Sequence, residues 1–315
     1  MRIIITNEKG EKREILLTIL LIVTMLLFGM WMSFLTPEIS EGQTYNETAI
    51  VNTTVNITNA APIVTSIVLD SPVDLTAYAT KTVYCNLTVF DFDNDTLEVN
   101  ATLYIDGVVQ ADSFDDGNNH YTNGSCALIS PQDMTMNYTC AFEVEYYADN
   151  TTQWICNVTV ADNGAGQSTS SNESNHGTIN PLVAIKLPTI LDYGDLAVGD
   201  ISPDTLANVT NAGNRDANIS VEGWAETPGD GNAFNCSFGT IDLSYERYNS
   251  TAGSLFGSMT QLTSNPVLIP DFYVPQRVSP TSDSVNSTYW KVQIPVGAGG
   301  VCHGKILFSA SDRTG

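Results

Sequence analysis

The sequence predicts an all-β protein made of two antiparallel β-sandwich domains that follow one N-terminal transmembrane α-helix. Three observations support this fold class. Short stretches of alternating apolar and polar residues recur from residue 62 onward, a continuous apolar segment lies near the N-terminus, and all six cysteines lie beyond that segment. Alternation with period two is typical of half-buried strands, and no later stretch has the periodicity of a helix.

The apolar segment, residues 15–35, reads ILLTILLIVTMLLFGMWMSFL. At a rise of 1.5 Å per residue, a helix of about 21 residues matches the roughly 30 Å hydrocarbon layer of a bilayer. The segment ends in large residues, Trp31, Phe34 and Leu35, where a secretory signal would have a small-residue cleavage site. We therefore predict an uncleaved membrane anchor.

Basic residues flank the anchor on one side only. Those that precede it are Arg2, Lys9, Lys12 and Arg13, and the next one is Lys81. The positive-inside rule places residues 1–14 in the cytoplasm as a short stub. The prediction is a single-pass protein of the cell membrane whose bulk is extracellular.

The part of the chain beyond the anchor is strongly acidic. It holds eight of the twelve Lys and Arg and 32 of the 35 Asp and Glu, so its formal charge is 8 − 32 = −24. Such a charge disfavours nucleic acid and anionic lipid head groups as partners. Acidity of this kind favours solubility in a salty or crowded exterior, and cation binding is the alternative interpretation.

The outer part divides into three segments by composition. Residues 36–61 are rich in Asn, Thr and Glu with little apolar periodicity, which predicts a glycosylated stalk. Residues 62–181 and 182–315 hold two sets of short strands, and their lengths fit one β-sandwich each. The segments predicted as strands are, in order, VYCNLTVFD, LEVNATLYIDG, YTCAFEVEYY and QWICNVTVAD in the first set, then TILDYGDLAV, ANVTN, ANISVEGW, GTIDLSYERY, YWKVQIPV and CHGKILFSA in the second.

The even number of cysteines outside the membrane predicts disulfides, because thiols oxidise in that compartment and no C-x-x-C pair suggests a metal site. The four cysteines of the first set allow three pairings. We prefer Cys85 with Cys156, which would bridge the two sheets, and Cys126 with Cys140, which would clip a hairpin. In the second set only Cys236 with Cys302 is available.

Sixteen Asn-x-Ser/Thr triplets make N-glycosylation the expected modification. Alternation along the strands turns acceptors such as Asn86 and Asn157 away from the core, whereas Trp154, Trp224 and Trp290 are expected to face inward. The predicted acceptors are Asn46, Asn52, Asn56, Asn86, Asn94, Asn100, Asn123, Asn137, Asn150, Asn157, Asn172, Asn208, Asn218, Asn235, Asn249 and Asn286.

One acidic turn is the candidate metal site. Asp91, Asp93 and Asp95 alternate at the end of a strand, and ADNG at 161–164 could end a neighbouring strand nearby. Carboxylates that leave a strand in this way can converge on a hard cation, so Ca²⁺ is the one cofactor considered. Ordinary turn chemistry is the alternative, since Asp and Asn are common turn residues and the loop lacks the glycine and distal glutamate of an EF-hand.

Nothing in the sequence predicts an enzyme. No nucleophile elbow, phosphate loop or paired-carboxylate motif occurs. The second acidic loop, DSFDDGNNH at 112–120, is expected to be solvated, and His120, His176 and His303 are expected at the surface because they form no triad or metal set.

The residues 62–181 carry a family resemblance. The D-x-D-x-D turn after the first cysteine strand, the I-D-G turn and the ending W-x-C-x-V-x-V-x-D-N-G resemble immunoglobulin-like domains of the polycystic-kidney-disease or cadherin-like type, found in microbial and especially archaeal surface proteins. The resemblance implies a spacer or adhesive module. Some domains of this type bind calcium. Cys126 and Cys140 depart from the simplest pattern. The second set, with NVTNAGNRDANISVEGW, looks more loosely like another sandwich of archaeal surface proteins.

The leading functional hypothesis is a structural or adhesive cell-surface protein that holds its modules away from the cell. One alternative is a pilin-like subunit of an extracellular filament with the N-terminal helix in its core, although Glu11-Lys12-Arg13-Glu14 would be hard to bury there. Another is an accessory or receptor subunit. The partners considered are the membrane, other surface proteins, carbohydrate or further copies of the chain.

Overall fold

Strands account for nearly all regular structure in the computed structural model, which describes residue 24 and residues 50–56, 59–163 and 169–313. The predicted stub and the predicted anchor, apart from Thr24, lie outside the described residues, as does most of the predicted stalk. Within the described ranges, no helix is long and apolar enough to cross a bilayer. The paired strands of every sheet are antiparallel, so the predicted all-β antiparallel class is confirmed.

The first eight strands build two four-stranded sheets, in the orders β1-β2-β6-β5 and β4-β3-β7-β8. Alternation of apolar and polar residues makes one face of each sheet buried; along β2, for example, every second residue from Val83 to Val89 is buried. The strands are β1 Ile63–Leu69, β2 Lys81–Phe90, β3 Leu97–Ile105, β4 His120–Asn123, β5 Ala127–Leu128, β6 Thr135–Val144, β7 Trp154–Asp162 and β8 Thr169–Glu173.

The remaining strands form a five-stranded sheet, β15-β14-β17-β10-β9, and two three-stranded sheets, β16-β11-β19 and β13-β12-β18. Two short 3-10 helices, Leu243–Tyr245 and Phe256–Ser258, lie between strands. The strands are β9 Ile185–Lys186, β10 Thr205–Asn211, β11 Ala217–Trp224, β12 Asn232–Phe238, β13 Thr240–Asp242, β14 Glu246–Asn249, β15 Thr260–Gln261, β16 Val267–Val274, β17 Val285–Val292, β18 Gly299–His303 and β19 Lys305–Asp312.

Two hydrophobic clusters hold these sheets together. The first gathers side chains from both four-stranded sheets around Trp154, and the second gathers side chains of the later sheets around Trp290. We call the residues 59–181 the first lobe and the residues 182–313 the second lobe. Both belong to one compact unit, Ile57–Gly315, whereas Met1–Asn56 is a separate unit.

The expectation that Trp224 faces inward is wrong. Buried positions along β11 are Ala217, Ile219, Val221 and Gly223, so Trp224 has the opposite parity and is half-buried. The inward position next to it is Gly223, where a Cβ would collide with the side chain of Leu262. By contrast, Trp154 and Trp290 are buried as expected.

Three disulfides crosslink the β-structure. Cys85–Cys156 links β2 to β7 and so joins the two sheets of the first lobe, Cys126–Cys140 ties the approach to β5 to β6, and Cys236–Cys302 joins directly opposed residues of β12 and β18. These are the pairings preferred from strand order. No free cysteine occurs among the described residues.

Asn214 is the polar centre of the contact between the two lobes. Its buried side chain donates Nδ2 hydrogen bonds to the carbonyls of Ala148 at 3.0 Å and Asn180 at 3.1 Å, and its Oδ1 accepts from the amide of Leu182 at 2.6 Å. The bonds to Ala148 and Asn180 cross between the lobes and need a defined position of both, whereas the bond from Leu182 fixes the side chain of Asn214 within the second lobe. A satisfied buried amide therefore favours one relative arrangement of the lobes.

Arg277 of the second lobe adds an aromatic contact to this junction. Its guanidinium lies 4.4 Å from the ring centroid of Tyr147 and donates Nη1 hydrogen bonds to the hydroxyl of Tyr146 and to Asp283. Gln276 also donates, through Nε2, to the carbonyl of Tyr147 at 3.0 Å. Planar stacking combined with several donors is what arginine supplies and lysine does not.

Candidate functional site

A groove of about 850 Å³ opens in the second lobe. One wall is the extended segment 187–196, and the other is the chain 298–306 together with Phe308. Ala207, Phe234, Ile241, Glu246, Val292 and Ile294 line its floor. The groove thus combines apolar side chains with the buried carboxyl group of Glu246 in its floor and the carboxylates of Asp192 and Asp195 in one wall, and such a mixture is typical of binding sites.

The wall formed by β18 and β19 is one long strand with a bend. β18 pairs with β12, β19 pairs with β11, and Gly304 lies between them. A Cβ at Gly304 would collide with the carbonyl oxygen of Ala233, so only glycine allows the chain to pass this close to the neighbouring backbone.

The outer edge of β19 has no partner strand within the described residues, since β19 is the terminal member of its sheet. Its residues alternate between exposed and half-buried, and none is fully buried. Ile306, Phe308 and Ala310 pack against the second core cluster, and Ile306 and Phe308 keep part of their surface open toward the groove. This edge presents a row of backbone N–H and C=O groups beside uncovered apolar side chains.

Glu246 lies buried in the floor of the groove. Its Oε1 accepts a 2.6 Å hydrogen bond from the hydroxyl of Tyr193, which stands in the wall formed by the segment 187–196. Burial raises the pKa of Glu246 to about 7, opposed by the hydrogen bond from Tyr193. Burial and the neighbouring carboxyl group also raise the pKa of Tyr193 well above its ordinary value.

Sequence reasoning did not single out Glu246. The alternation along β14 could have indicated its burial. Glu246 stands two residues before Tyr248 and shares the buried face of that strand. A charged residue on the inward face of a strand is rare enough to mark a position for inspection.

The acidic turn predicted as a calcium site begins with Asp91, which is buried at the end of β2. Its carboxylate oxygens accept from the amides of Asp93 at 3.4 Å and Asp95 at 2.8 Å. Asp162, at the end of β7, is also buried and accepts from Asn59 Nδ2 at 3.1 Å. Desolvation and the charges of Asp91, Asp93 and Asp162 raise the pKa of Asp95, so these carboxylates share one neighbourhood.

Within the described parts of the chain, no three His, Cys, Asp or Glu residues are arranged to hold a metal ion. Asp91 serves the turn by binding two amides of its own loop, which is the turn chemistry considered as the alternative. Calcium at Asp91, Asp93 and Asp95 stays a prediction.

The expectation that His120 lies at the surface is wrong, since His120 is buried beside the ring of Tyr104. Its Nδ1 lies 2.8 Å from Asp115 Oδ1 and its Nε2 lies 3.1 Å from the carbonyl oxygen of Ala111. With both ring nitrogens satisfied, burial costs little. His176 and His303 are exposed as expected.

None of the fifteen described glycosylation acceptors is buried, and Asn46 lies outside the described residues. The exposed ones are Asn52, Asn56, Asn94, Asn100, Asn137, Asn172 and Asn208, and the half-buried ones are Asn86, Asn123, Asn150, Asn157, Asn218, Asn235, Asn249 and Asn286. Whether they carry sugar stays a prediction.

Some of these acceptors use the very nitrogen that would carry the sugar. Asn150 Nδ2 donates to the carbonyl of Asn214 at 2.7 Å in the junction between the lobes. Asn286 Nδ2 donates to the carbonyl of Tyr273 at 2.9 Å. A glycan at either position would displace an intramolecular hydrogen bond.

No protein-family model matches the chain, and no curated protein matches it. Two solved structures are similar to it in part. One comes from a study of a chaperone–tip adhesin complex in CFA/I fimbriae biogenesis, with 10% identity, coverage of 76% of this chain and 78% of that one, and a TM-score of 0.30. The other is the CupB6 tip adhesin from Pseudomonas aeruginosa, with 10% identity, coverage of 81% and 93%, and a TM-score of 0.23. Likenesses this distant carry no functional argument.

Proposed function

We propose that this chain is a membrane-anchored, glycosylated protein of the cell surface that presents two immunoglobulin-like β-sandwich modules for a structural or adhesive role. The observation that carries the proposal is the pairing of all six cysteines, each pair joining two different segments of the β-structure. Disulfides persist in an oxidising exterior and are rare in the cytosol.

The junction between the lobes supports a structural role. Asn214 and Arg277 tie the second lobe to backbone and aromatic groups of the first through hydrogen bonds and a stacked guanidinium. A fixed junction makes the pair of modules a stiff spacer, which a surface protein needs in order to hold a contact site at a distance. The apolar segment 15–35 supplies the proposed anchor on the cell side.

The lining of the groove supports a binding role. Its floor holds one carboxyl group, Glu246, whose partner is the hydroxyl of Tyr193. Neither wall contains an Asn-x-Ser/Thr triplet, because no acceptor lies between Asn172 and Asn208 or after Asn286. Walls without acceptors, on a surface that carries them elsewhere, are suited to protein contact.

Surface labelling of intact cells tests the proposal. A membrane-impermeant amine reagent should label lysines beyond the anchor, such as Lys81 and Lys305, while carbonate extraction should leave the protein in the membrane pellet. Labelling only after cell lysis would contradict the surface role, and full release by carbonate would contradict the anchor. Sequencing the mature N-terminus separates the anchored protein from a processed filament subunit, because cleavage after Lys9-Gly10, as by a prepilin peptidase, would leave Glu11 as the first residue.

A further inference from the structure

We propose that the groove of the second lobe accepts residues 50–57 of a second copy of this chain as an added β-strand along the free edge of β19. This inference rests on the proposed surface role only for its location, since the argument concerns strand pairing. Four observations support it: the unpaired edge of β19, the strand-like pattern of residues 50–57, the equal length of eight residues for both, and the short reach of the chain between residue 57 and Asn59.

The edge has the features that favour strand addition. β19 is eight residues long, its outer edge is unpaired among the described residues, and Ile306 and Phe308 remain partly exposed toward the groove. Val301, which also lines the groove, is 65% exposed. An added strand would satisfy the backbone of this edge and cover its apolar side chains.

The segment 50–57 reads IVNTTVNI and has the pattern of a strand with one apolar face. Val51, Thr53, Val55 and Ile57 share one parity, and all four are β-branched. Val51 and Val55 are 79% and 85% exposed and lie outside any described strand. Among the described residues, Val51 and Val55 therefore present an apolar strand-like face that is left uncovered.

The opposite face of the segment carries its glycosylation acceptors. Asn52 and Asn56 have the other parity, so sugar attached there would point away from a groove that receives Val51 and Val55. The segment also contains no charged residue, although the outer part of the chain is strongly acidic. Two acidic copies can thus approach through this segment without placing like charges against each other.

The chain cannot place this segment in its own groove. Asn59 is held at the end of β7 by its hydrogen bond to Asp162, whereas the second lobe contacts the opposite end of the first lobe, near Asn150. The nine residues of β7 span about 26 Å, and two further residues reach at most about 7 Å. If a strand that ends at residue 57 fills the groove, it therefore comes from another copy.

Contact of this kind is heterologous, because the segment of one copy meets the groove of the next. Such contacts do not close on themselves unless the rotation between copies closes a ring, and they otherwise extend into a chain of subunits. The proposal thus gives a route to a filament that leaves the N-terminal apolar segment free to remain in the membrane.

The test compares two full-length variants in detergent. Val55→Asp places a charge on the face directed into the groove, and Ile50→Asp places the same charge on the opposite parity, at a side chain that is 94% exposed. Neither substitution touches an acceptor triplet. Sedimentation velocity should show concentration-dependent assembly of the wild type and of Ile50→Asp, and at least tenfold weaker assembly of Val55→Asp. Equal assembly of the two variants, or no assembly of the wild type, overturns the proposal.

Hydrogen exchange on the same full-length samples locates the contact. Amides of β19 should exchange more slowly in the assembled wild type than in Val55→Asp, whereas amides of β2, which is paired on both sides, should not change. Assembly without slower exchange in β19 would assign the contact to another surface and overturn the proposal. Failure here leaves the surface-labelling result untouched, so the two proposals can fail separately.

Discussion

The hydroxyl of Tyr193 donates a 2.6 Å hydrogen bond to Oε1 of Glu246, a buried carboxyl group in the floor of the groove. The two residues are 53 positions apart in the sequence and come from the groove wall and from β14. Their contact ties the extended segment 187–196 to the five-stranded sheet. It also places a group that titrates near neutral pH under the proposed contact surface.

Stability should fall as the pH rises from 4.5, the ordinary pKa of Glu246, to its folded value of about 7. Because the folded state holds this proton more tightly than the unfolded chain, its contribution is complete below pH 4.5 and is lost as the carboxyl ionises. The change is about 3 kcal/mol by linkage. Urea unfolding across this pH range should show the slope in the wild type and a much smaller one in Glu246→Gln.

Glu98→Gln is the matched control, because Glu98 is exposed on β3. It should keep the wild-type slope. If Glu246→Gln retained the full slope as well, the pH dependence would belong to other groups.

Asn214→Ala should destabilise the protein by about 2–4 kcal/mol, since it leaves the carbonyls of Ala148 and Asn180 and the amide of Leu182 without their partner. Chemical unfolding measures the loss, and small-angle scattering should show a broader distribution of distances between the lobes. Asn265→Ala, at an exposed loop position, should change neither quantity. A loss of stability below 1 kcal/mol would mean that the junction contributes little.

Site-specific mass spectrometry should find sugar at exposed acceptors such as Asn100 and Asn208 and none at Asn150 or Asn286. The reason is that Asn150 Nδ2 and Asn286 Nδ2 already donate hydrogen bonds to backbone carbonyls. High occupancy at Asn150 would show that the junction forms differently in the glycosylated protein.

Mild reductant under native conditions should open Cys236–Cys302 before the other two disulfides. Cys236 and Cys302 are half-buried at the edge of the groove, whereas Cys85, Cys156 and Cys140 are fully buried. Thiol–disulfide exchange needs access for the attacking thiolate. Alkylation followed by peptide mapping identifies the order, and earlier opening of Cys85–Cys156 would contradict this prediction.

Calcium at the acidic turn is tested by thermal unfolding with millimolar calcium and with chelator. A site at Asp91, Asp93 and Asp95 should raise the melting temperature, because a ligand that binds only the folded state stabilises it. Asp93→Asn should abolish the shift, and the exposed Asp133→Asn should keep it. An unchanged melting temperature in the wild type would remove calcium from consideration.

The burial of two residues, Trp224 and His120, was predicted wrongly from the sequence. Trp224 follows four buried residues that occupy every second position of β11, and strict counting places it outward, as the structure does. His120 had no such signal. Its burial depends on Asp115 and the carbonyl of Ala111, which the loop brings around the imidazole, and on the ring of Tyr104 from another strand.

The sequence by itself determined most of the long strands, the faces that Cys85, Cys156 and Trp290 occupy, and the outward parity of many acceptors, because alternation is a local property of an extended chain. It was wrong for TILDYGDLAV, which forms no strand, and it did not predict β1, β12 or β16. Only the tertiary structure decided the junction at Asn214, the burial of Glu246 and the open edge of β19. These features depend on contacts between residues far apart in the chain, such as Asn214 with Ala148 and Tyr193 with Glu246. Periodicity along one strand says nothing about which distant backbone atom satisfies a buried group, or which edge is left without a partner.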